Sequence, residues 1–327
     1  MTVLSLILVA MSVQTADTIA PAVALESPYT IHSGALELGG TLVMPRGATG
    51  RVPVVVIIAG SGPTDRNGNS LMGIRPNSYA QLTWQLAGRG IASLRYDKRA
   101  MPGTKGTFDL TKMTLDDFAA DARAAAESLA RDSRFSKVVL LGHSEGASLA
   151  VIAARQGAPV AGVISVSGLG RPLGVVMREQ LARQFDSATL VRYDTAMAQY
   201  LRGEQPKDVP PQLGPLFVPI NLSFMKSLSS FDPLAAIRAV SQPLLIIQGG
   251  RDLQVTVADA TRLIEAARTG SKLVIVPLAN HVLKQTTDTT LIGQMPTYQD
   301  PTVPIMPEVA NAIANWMLTP TPGIRRP

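Results

Sequence analysis

A short polar segment lies between two apolar runs in the middle of the chain. Residues 138–141 read VVLL, residues 142–146 read GHSEG, and an alanine-rich run follows. The serine of this segment, Ser144, is either an ordinary turn residue or a nucleophile on a sharp strand-to-helix turn, where Gly142 and Gly146 let strand and helix approach closely. Because an apolar run precedes the motif and a helix-forming run follows it, we predict that Ser144 is a nucleophile.

A serine hydroxyl needs a base to take its proton, and the chain has three histidines, His32, His143 and His281. His143 is adjacent to Ser144, and neighbouring side chains at a tight turn diverge, so we expect His143 to pack or form hydrogen bonds there. His32 precedes every predicted core strand, which favours a surface imidazole. His281 follows the apolar run LVIVPLA. If Ser144 is the nucleophile, His281 is the predicted base.

A carboxylate should orient the base and stabilise its protonated form. Asp252 comes soon after the apolar run PLLII, within QGGRD, whereas the alternatives Asp288 and Asp300 follow no predicted strand. The other interpretation of Asp252 is an exposed turn residue or an ion-pair partner of Arg251. The order serine, aspartate, histidine is the one found when the nucleophile follows a strand of a parallel α/β sheet. We therefore predict that Asp252 is the third member.

Negative charge on a tetrahedral intermediate requires nearby N–H donors. One predicted donor is the backbone N–H of Glu145, the residue after the nucleophile. The other is that of Ser61, in the loop GSGPTDRNGN at 60–69, where Gly60 and Gly62 allow the backbone to approach a substrate. This loop lacks the lysine and the serine or threonine that end a phosphate-binding P-loop, and it does not match the dinucleotide pattern GxGxxG.

Short β-branched runs alternate with longer amphipathic runs along the chain. The predicted strands are residues 52–59, 91–96, 138–141, 160–166, 244–248 and 273–276. Ligand sites of open parallel sheets lie beyond the carboxyl ends of the strands, and the candidate residues above follow these strands. Strands that are apolar on both faces and separated by helices indicate a parallel sheet covered on both sides. We therefore predict an α/β fold with a mostly parallel central sheet and helices on both faces.

Capping residues mark the beginnings of three predicted helices. Ser78 is the expected N-cap of the first. Thr114, followed three residues later by Asp117, predicts a capping box at the start of the second. Pro307 suits the first turn of a closing helix over residues 307–318.

One stretch, residues 171–231, breaks the alternation of strands and helices. It contains helical patches at 175–185 and 190–201 and a proline-rich part, with no convincing strand. We predict that it is a helical cap inserted into a core formed by residues 25–170 and 232–327.

Residues 1–24 are either a signal peptide or a disordered leader. Residues 3–11 form an apolar block of signal-peptide length that is too short to span a bilayer, and residues 22–24 suit a signal-peptidase site. No Lys or Arg occurs before Arg46, so the usual positively charged start is missing. We expect a periplasmic or secreted protein, with a cytoplasmic location as the alternative.

The composition excludes several classes of protein. The chain has 327 residues, of which 46% are hydrophobic and 17% charged, as in an ordinary globular protein. Its net charge of +6 is scattered and only 5% of the residues are aromatic, which argues against a nucleic-acid groove. The absence of cysteine excludes disulfides, thiol catalysis and cysteine-bound zinc. We expect no metal, no cofactor, no nucleic-acid partner and no stable membrane insertion.

Five segments together resemble one known superfamily. They are GHSEG at 142–146, AGSGPTDRNGN at 59–69, RYDKR at 95–99, QGGRD at 248–252 and NHVLK at 280–284. From about residue 36 to residue 318, without most of the insertion, the chain resembles the α/β-hydrolase superfamily. It looks most like bacterial carboxylesterases with a GHSEG nucleophile elbow and an AGSGPxDRxG oxyanion loop, which are related to serine aminopeptidases and cap-bearing lipases.

This resemblance implies an α/β-hydrolase fold and a set of site residues. They are the triad Ser144, Asp252 and His281, with oxyanion donors at Ser61 and Glu145. Two departures from the family pattern concern loop shape. Asn67 stands where such loops often carry Asp, and residues 100–102 (AMP) follow RYDKR where a glycine is more usual.

These features predict a serine hydrolase that cleaves small-molecule carboxylic esters of short to medium acyl chain length through an acyl-enzyme. The same triad would serve a peptidase, a thioesterase or an acyltransferase. A non-catalytic binding protein on this scaffold is disfavoured because all three triad residues are present. The sequence leaves the oligomeric state open.

The predicted cap offers two kinds of side chain to a substrate. Its apolar residues favour apolar acyl groups, although such spacing is more typical of the core of a cap; they are Met177, Phe185, Met197, Tyr200, Phe217, Phe224 and Met225. An aminopeptidase should need an acid that holds the substrate amine, and the candidates are Glu179, Asp186, Asp194 and Glu204.

Overall fold

The fold is seen in a computed structural model, which describes residues 21–70 and 73–319. In this part of the chain nine strands form one sheet. The strands are β1 Ala24–Ser33, β2 Leu36–Pro45, β3 Val52–Ile58, β4 Ala92–Tyr96, β5 Thr104–Lys105, β6 Phe135–His143, β7 Val163–Val166, β8 Leu244–Gly249 and β9 Lys272–Val276. Their order is β1-β2-β4-β3-β6-β7-β8-β9, with β5 beside β2.

Ten α-helices surround this sheet in the described residues. They are α1 Ser78–Ala87, α2 Leu115–Ala130, α3 Glu145–Arg155, α4 Leu173–Ala182, α5 Ser187–Arg202, α6 Leu222–Ser229, α7 Pro233–Arg238, α8 Val257–Ala266, α9 Leu291–Gln299 and α10 Pro307–Leu318. Short 3₁₀ helices cover Leu110–Lys112, Pro211–Phe217 and Pro219–Asn221.

Most strand pairs in the sheet are parallel. From β4 through β3, β6, β7 and β8 to β9 every neighbouring pair is parallel, while β1 and β2 add an antiparallel hairpin at one edge. The register aligns His143 with Val166 and Val166 with Ile247. The carboxyl ends of the central strands therefore meet at one edge, which is where ligands bind in such sheets.

Both faces of the sheet are covered, as the apolar runs predict. In β3, Val54 and Val56 join a buried cluster with α2 and α3, whereas Val55 and Ile57 join a second buried cluster with α1 and α10. Consecutive side chains of a strand point to opposite faces. The predicted α/β fold with a mostly parallel sheet and helices on both sides is thus confirmed.

The six predicted strands are present, with ends that shift by at most a few residues, but the β1–β2 hairpin was not predicted. β1 is mostly exposed and contains Pro28, as edge strands often do. In β2, Gly39 and Gly40 allow close backbone contact, since a Cβ on Gly40 would lie 3.1 Å from Arg95 O. Neither strand therefore carries the apolar run on which the prediction depends.

Two of the three predicted helix starts are confirmed. Thr114 and Asp117 form the expected capping box of α2, and Pro307 opens α10. Ser78 is not a cap, because Asn77 holds the N-cap position in the left-handed region at φ 54°. The Ser78 hydroxyl instead donates to Val282 O over 2.7 Å.

The chain between β7 and β8 is helical wherever it is regular, and α4 to α7 lie in it. Of the seven apolar side chains named above as candidates for substrate contact, four are buried, namely Met177, Tyr200, Phe217 and Met225. The Tyr200 and Phe217 rings pack edge to face with centroids 5.6 Å apart. The helical cap over residues 171–231, with these boundaries, stays a prediction.

Most of the expected leader lies outside the described residues, which begin at residue 21. Ala24 is the first residue of β1, and Arg46 N donates to Val23 O over 2.9 Å. The signal peptide and the periplasmic or secreted location stay predictions. In the part of the chain that the structure describes, no helix is both long enough and apolar enough to cross a membrane.

Candidate active site

Ser144 occupies a strained turn between β6 and α3. Its backbone has φ 55° and ψ −123°, a conformation that residues other than glycine seldom adopt. Ser144 N donates to Val166 O over 2.9 Å, which continues the β6–β7 ladder past the end of β6. The side chain is partly exposed at the carboxyl edge of the sheet, and α3 begins with the next residue. This is the strand-to-helix turn that GHSEG predicts.

Glycines make this turn sterically possible. A Cβ on Gly142 would overlap Gly146 O, and a Cβ on Gly146 would lie 2.7 Å from Ala59 O and even closer to Ile58 O. These positions therefore allow α3 to start directly beside β6 and against the end of β3.

Replacement of Gly146 by alanine is expected to destabilise the protein by about 1–3 kcal/mol, because the new methyl group must push α3 away from β3. The change is measured as a shift in the urea midpoint and in Tm. The matched control is Gly174→Ala in α4, where a Cβ would meet nothing within 4 Å. Equal stability of the two variants would contradict this steric account.

The structure brings His281 and Asp252 together. His281 Nδ1 lies 2.8 Å from Asp252 Oδ2, and both side chains are buried. Asp252 also accepts hydrogen bonds from Gln254 N at 2.8 Å and Val255 N at 3.0 Å, and from the Gln248 side chain at 3.2 Å. These bonds fix the carboxylate so that Nδ1–H of the imidazole points at it.

The charge state of Asp252 follows from these contacts. Burial by itself would raise the pKa of Asp252, but the His281 imidazole and the backbone N–H groups of Val255 and Gln254 outweigh it. The pKa of Asp252 therefore lies below its usual value, and the residue is a carboxylate at neutral pH.

His143 links the loop after β3 to the backbone of His281. Its Nε2 lies 2.8 Å from His281 O, which only accepts, so Nε2 carries the proton. Its Nδ1 then accepts from the Tyr79 hydroxyl at 2.9 Å, and that hydroxyl accepts from Gly60 N at 3.1 Å. Burial and, next, the nearby His281 lower the pKa of His143 to about 3, which agrees with this neutral tautomer. The structural role predicted for His143 fits these contacts.

In the part of the chain that the structure describes, no hydrogen bond joins Ser144 to His281, and the turn contacts His281 through His143. The imidazoles of His143 and His281 lie 4.7 Å apart between ring centres, and Ser144 directly follows His143. In the described residues the Ser144 hydroxyl has no hydrogen-bond partner. The bond between nucleophile and base is often long in enzymes without substrate, and the assignment of the triad stays a prediction.

The loop after β3 lies against Ser144. A Cβ on Gly60 would lie 3.3 Å from Ser144 Cβ. In the described residues no acceptor is bound to the backbone N–H of Ser61 or to that of Glu145 at the start of α3. Gly62 adopts φ +74°, which favours glycine at this turn. Both predicted oxyanion donors are thus free to bind an anion.

Polar side chains brace the rest of this loop. Asp65 accepts from Asn67 N and Asn69 N, each over 2.8 Å. Arg66 forms an ion pair with Asp97 at 2.5 Å, and its backbone N–H donates to the same carboxylate. Asn67, a departure from the family pattern, accepts from Arg95 Nε at 2.9 Å.

The remaining candidate residues lie away from this cluster. Asp288 accepts from Thr290, and Asp300 accepts from Thr302, so neither carboxylate contacts His281. His32 is exposed on β1. In residues 21–70 and 73–319, no group of three or more His, Asp or Glu could hold a metal ion.

Comparison with known proteins identifies the family of the chain. The model of the alpha/beta hydrolase family matches residues 55–283. The chain belongs to the alpha/beta hydrolase family. This confirms the predicted superfamily and fold, and the match runs from β3 to just beyond His281.

This α/β hydrolase is also similar to individual proteins. It is 32% identical over 251 residues to esterase EstD of Thermotoga maritima; the match covers 75% of the chain and 58% of EstD. It resembles Est1E of Butyrivibrio proteoclasticus, solved with ferulic acid, with a TM-score of 0.57, 17% identity and coverage of 89% and 98%. Proline iminopeptidase of Mycobacterium smegmatis also matches, with a TM-score of 0.57, 14% identity and coverage of 89% and 98%. At these identities the solved structures show the fold alone.

The contacts of Lys98 in this α/β hydrolase were not predicted from the sequence. Its ammonium donates to Gly60 O and lies 3.7 Å from Glu145 Oε1. Glu145 was assigned a role through its backbone alone, yet its side chain is buried against this lysine. The available signal was a lysine just after a predicted strand, in RYDKR, together with a glutamate inside GHSEG.

Proposed function

We propose that this α/β hydrolase cleaves carboxylic esters through an acyl-enzyme on Ser144. The observation that carries the proposal is the strained Ser144 turn beside the buried His281–Asp252 pair. The similarity to esterase EstD supports ester cleavage, although the match spans only 58% of that protein.

In the proposed reaction the Ser144 hydroxyl attacks the ester carbonyl carbon while His281 Nε2 takes its proton. The carbonyl oxygen becomes an oxyanion that accepts hydrogen bonds from Ser61 N and Glu145 N. Protonated His281, held by Asp252, then gives its proton to the departing alkoxide. Water attacks the acyl-enzyme by the same steps, which releases the acid and regenerates the serine.

The acids of the insertion favour esters over aminopeptidase substrates. Glu179 is paired with Arg171, Asp194 with Arg178 at 2.9 Å, and Glu204 with Arg202 at 2.6 Å. Asp186 accepts from Thr189 N at the start of α5. Each of the four candidate acids thus has a partner within the chain, so none stands out as an unpaired acid for a substrate amine.

Within the esters we expect short to medium acyl chains to be preferred. Much of the apolar surface of the insertion is used in its own packing, as the buried Tyr200 and Phe217 show. Of the apolar candidates named in the sequence analysis, three are only partly buried and offer apolar contact, namely Phe185, Met197 and Phe224.

The purified protein is expected to hydrolyse p-nitrophenyl butyrate with a kcat/KM on the order of 100-fold above that for alanine or proline p-nitroanilide. It is also expected to be labelled stoichiometrically by a fluorophosphonate, which abolishes turnover. A series of p-nitrophenyl esters of increasing acyl length measures the chain-length preference. Labelling together with faster anilide cleavage would instead favour a peptidase. Absence of both labelling and turnover would refute the proposed function.

A further inference from the structure

A buried lysine contacts the oxyanion loop at the carboxyl ends of three adjacent strands. The sheet order places β3 between β4 and β6. Lys98 follows β4, Gly60 follows β3 and Glu145 follows β6. Lys98 Nζ donates to Gly60 O and lies 3.7 Å from Glu145 Oε1, so a single ammonium ties the three strand ends together.

Burial of the Lys98 ammonium is unfavourable in free energy. The Lys98 and Glu145 side chains are 7% and 5% exposed, and Lys98 Nζ lies 5.8 Å from the centre of the Phe118 ring. Burial lowers the pKa of Lys98 and raises the pKa of Glu145, while the attraction between them acts in the opposite direction in each. A buried ion pair is weak evidence for stability, since an apolar pair of similar volume often serves as well. Stability therefore does not explain why the Lys98–Glu145 ion pair is buried beside Gly60.

We propose that Lys98, held by the Glu145 side chain, is a positioning residue that orients the backbone N–H of Ser61 toward the oxyanion. The proposal rests on the proposed function, in which Ser61 N is an oxyanion donor.

The planarity of the peptide bond carries the argument. Gly60 O and Ser61 N–H belong to one peptide group, and the described residues contain no cis peptide bond. In a trans peptide the C=O and the N–H point in opposite directions. When Lys98 holds the oxygen on its own side, the N–H of Ser61 is turned to the other side, where it has no partner among residues 21–70 and 73–319.

Without Lys98 this peptide group would be free to rotate. Glycine is conformationally permissive, and Gly60 and Gly62 flank Ser61. The N–H of Gly60 is already fixed by the Tyr79 hydroxyl at 3.1 Å, so Lys98 supplies the second anchor.

Glu145 then serves the oxyanion in two ways. Its backbone N–H is one proposed donor, and its side chain holds the lysine that orients the other donor. The spacing between the two donors is thus set by one residue and its ion pair.

The test compares Lys98→Met with Arg99→Met. Arg99 is the next residue and forms a largely buried ion pair with Asp121 at 2.7 Å, and its side chain is not bonded to Gly60. We expect Lys98→Met to lower kcat for p-nitrophenyl butyrate by about 10- to 100-fold, with KM changed by less than about 2-fold. Its affinity for a trifluoromethyl ketone, whose serine adduct carries an oxyanion, should weaken in parallel with kcat/KM. Arg99→Met should show a decrease in Tm comparable to that of Lys98→Met and should keep the parental kcat.

The double variant Lys98→Met, Glu145→Gln separates positioning from stability. Removing one partner leaves a buried charge without compensation, whereas removing both charges relieves that cost. We expect the double variant to recover Tm and to keep the low kcat, because nothing holds Gly60 O. The double variant also tests the proposal if Lys98→Met alone does not fold.

Recovery of kcat together with Tm in the double variant would overturn the proposal, because the pair would then be structural only. The same holds if Lys98→Met has the parental kcat, or if its loss lies in KM alone. A parent protein with neither ester turnover nor fluorophosphonate labelling would refute the proposed function instead, so the two failures are distinguishable.

Discussion

Replacement of Ser144 by alanine is expected to lower kcat for ester hydrolysis by about 10⁵- to 10⁶-fold, the effect of removing a serine nucleophile from a triad. The fold should be unaffected, because in the described residues the Ser144 hydroxyl forms no hydrogen bond. Alanine and serine also have a similar backbone penalty at φ 55°. The measurements are kcat with p-nitrophenyl butyrate, fluorophosphonate labelling and Tm.

The matched control for this variant is Ser148→Ala, one helical turn further along α3. Ser148 is buried and lines a small pocket with Ala147 and Val151. It should keep both turnover and labelling. If Ser144→Ala were still labelled at the parental rate, the nucleophile would be another residue and the proposed mechanism would be wrong.

Replacement of Asp252 by asparagine is expected to lower kcat by about 10³- to 10⁴-fold with little change in KM, as loss of the triad carboxylate does. The pKa of Asp252 is lowered in the folded protein, so the parent holds a carboxylate against His281 Nδ1 at neutral pH. An amide is neutral and would no longer stabilise the protonated imidazole. Fluorophosphonate labelling, which needs the same base, should slow by a similar factor.

The control for Asp252→Asn is Asp288→Asn, which changes an alternative acid in the same way. Asp288 accepts from Thr290 and does not contact His281, so its variant should retain kcat. A large loss in Asp288→Asn with little loss in Asp252→Asn would show that the acid is misassigned. The Asp252→Asn variant should still fold, because the amide oxygen of the asparagine can accept hydrogen bonds from Gln254 N and Val255 N.

Much of the fold could be predicted from local patterns. The run at 52–59 is apolar on both faces, and the structure buries Val54 and Val55 in different clusters on opposite sides of β3. Thr114 and Asp117 form the capping box that their spacing predicts. Such signals depend on residues a few positions apart, so they can be recognised from the sequence alone. The β1–β2 hairpin lacked them, because its strands are exposed or rich in glycine.

Residues of the candidate site could also be predicted, because they follow apolar runs. Ser144, Asp252 and His281 each come soon after a strand, and the structure brings Asp252 and His281 into contact. Elimination among three histidines selected His281, and the structure places His143 in a hydrogen-bonded link and His32 on the surface.

The sequence by itself determined the six strands of the parallel part of the sheet, where the strained serine turn lies and which residues follow the strand ends. Only the tertiary structure decided which of those ends are neighbours. Lys98 and Glu145 meet because β3 lies between β4 and β6, and His143 reaches both Tyr79 and the His281 backbone. Contacts of this kind join residues far apart in the chain, and their geometry follows from strand order and packing, which no local pattern of residues encodes.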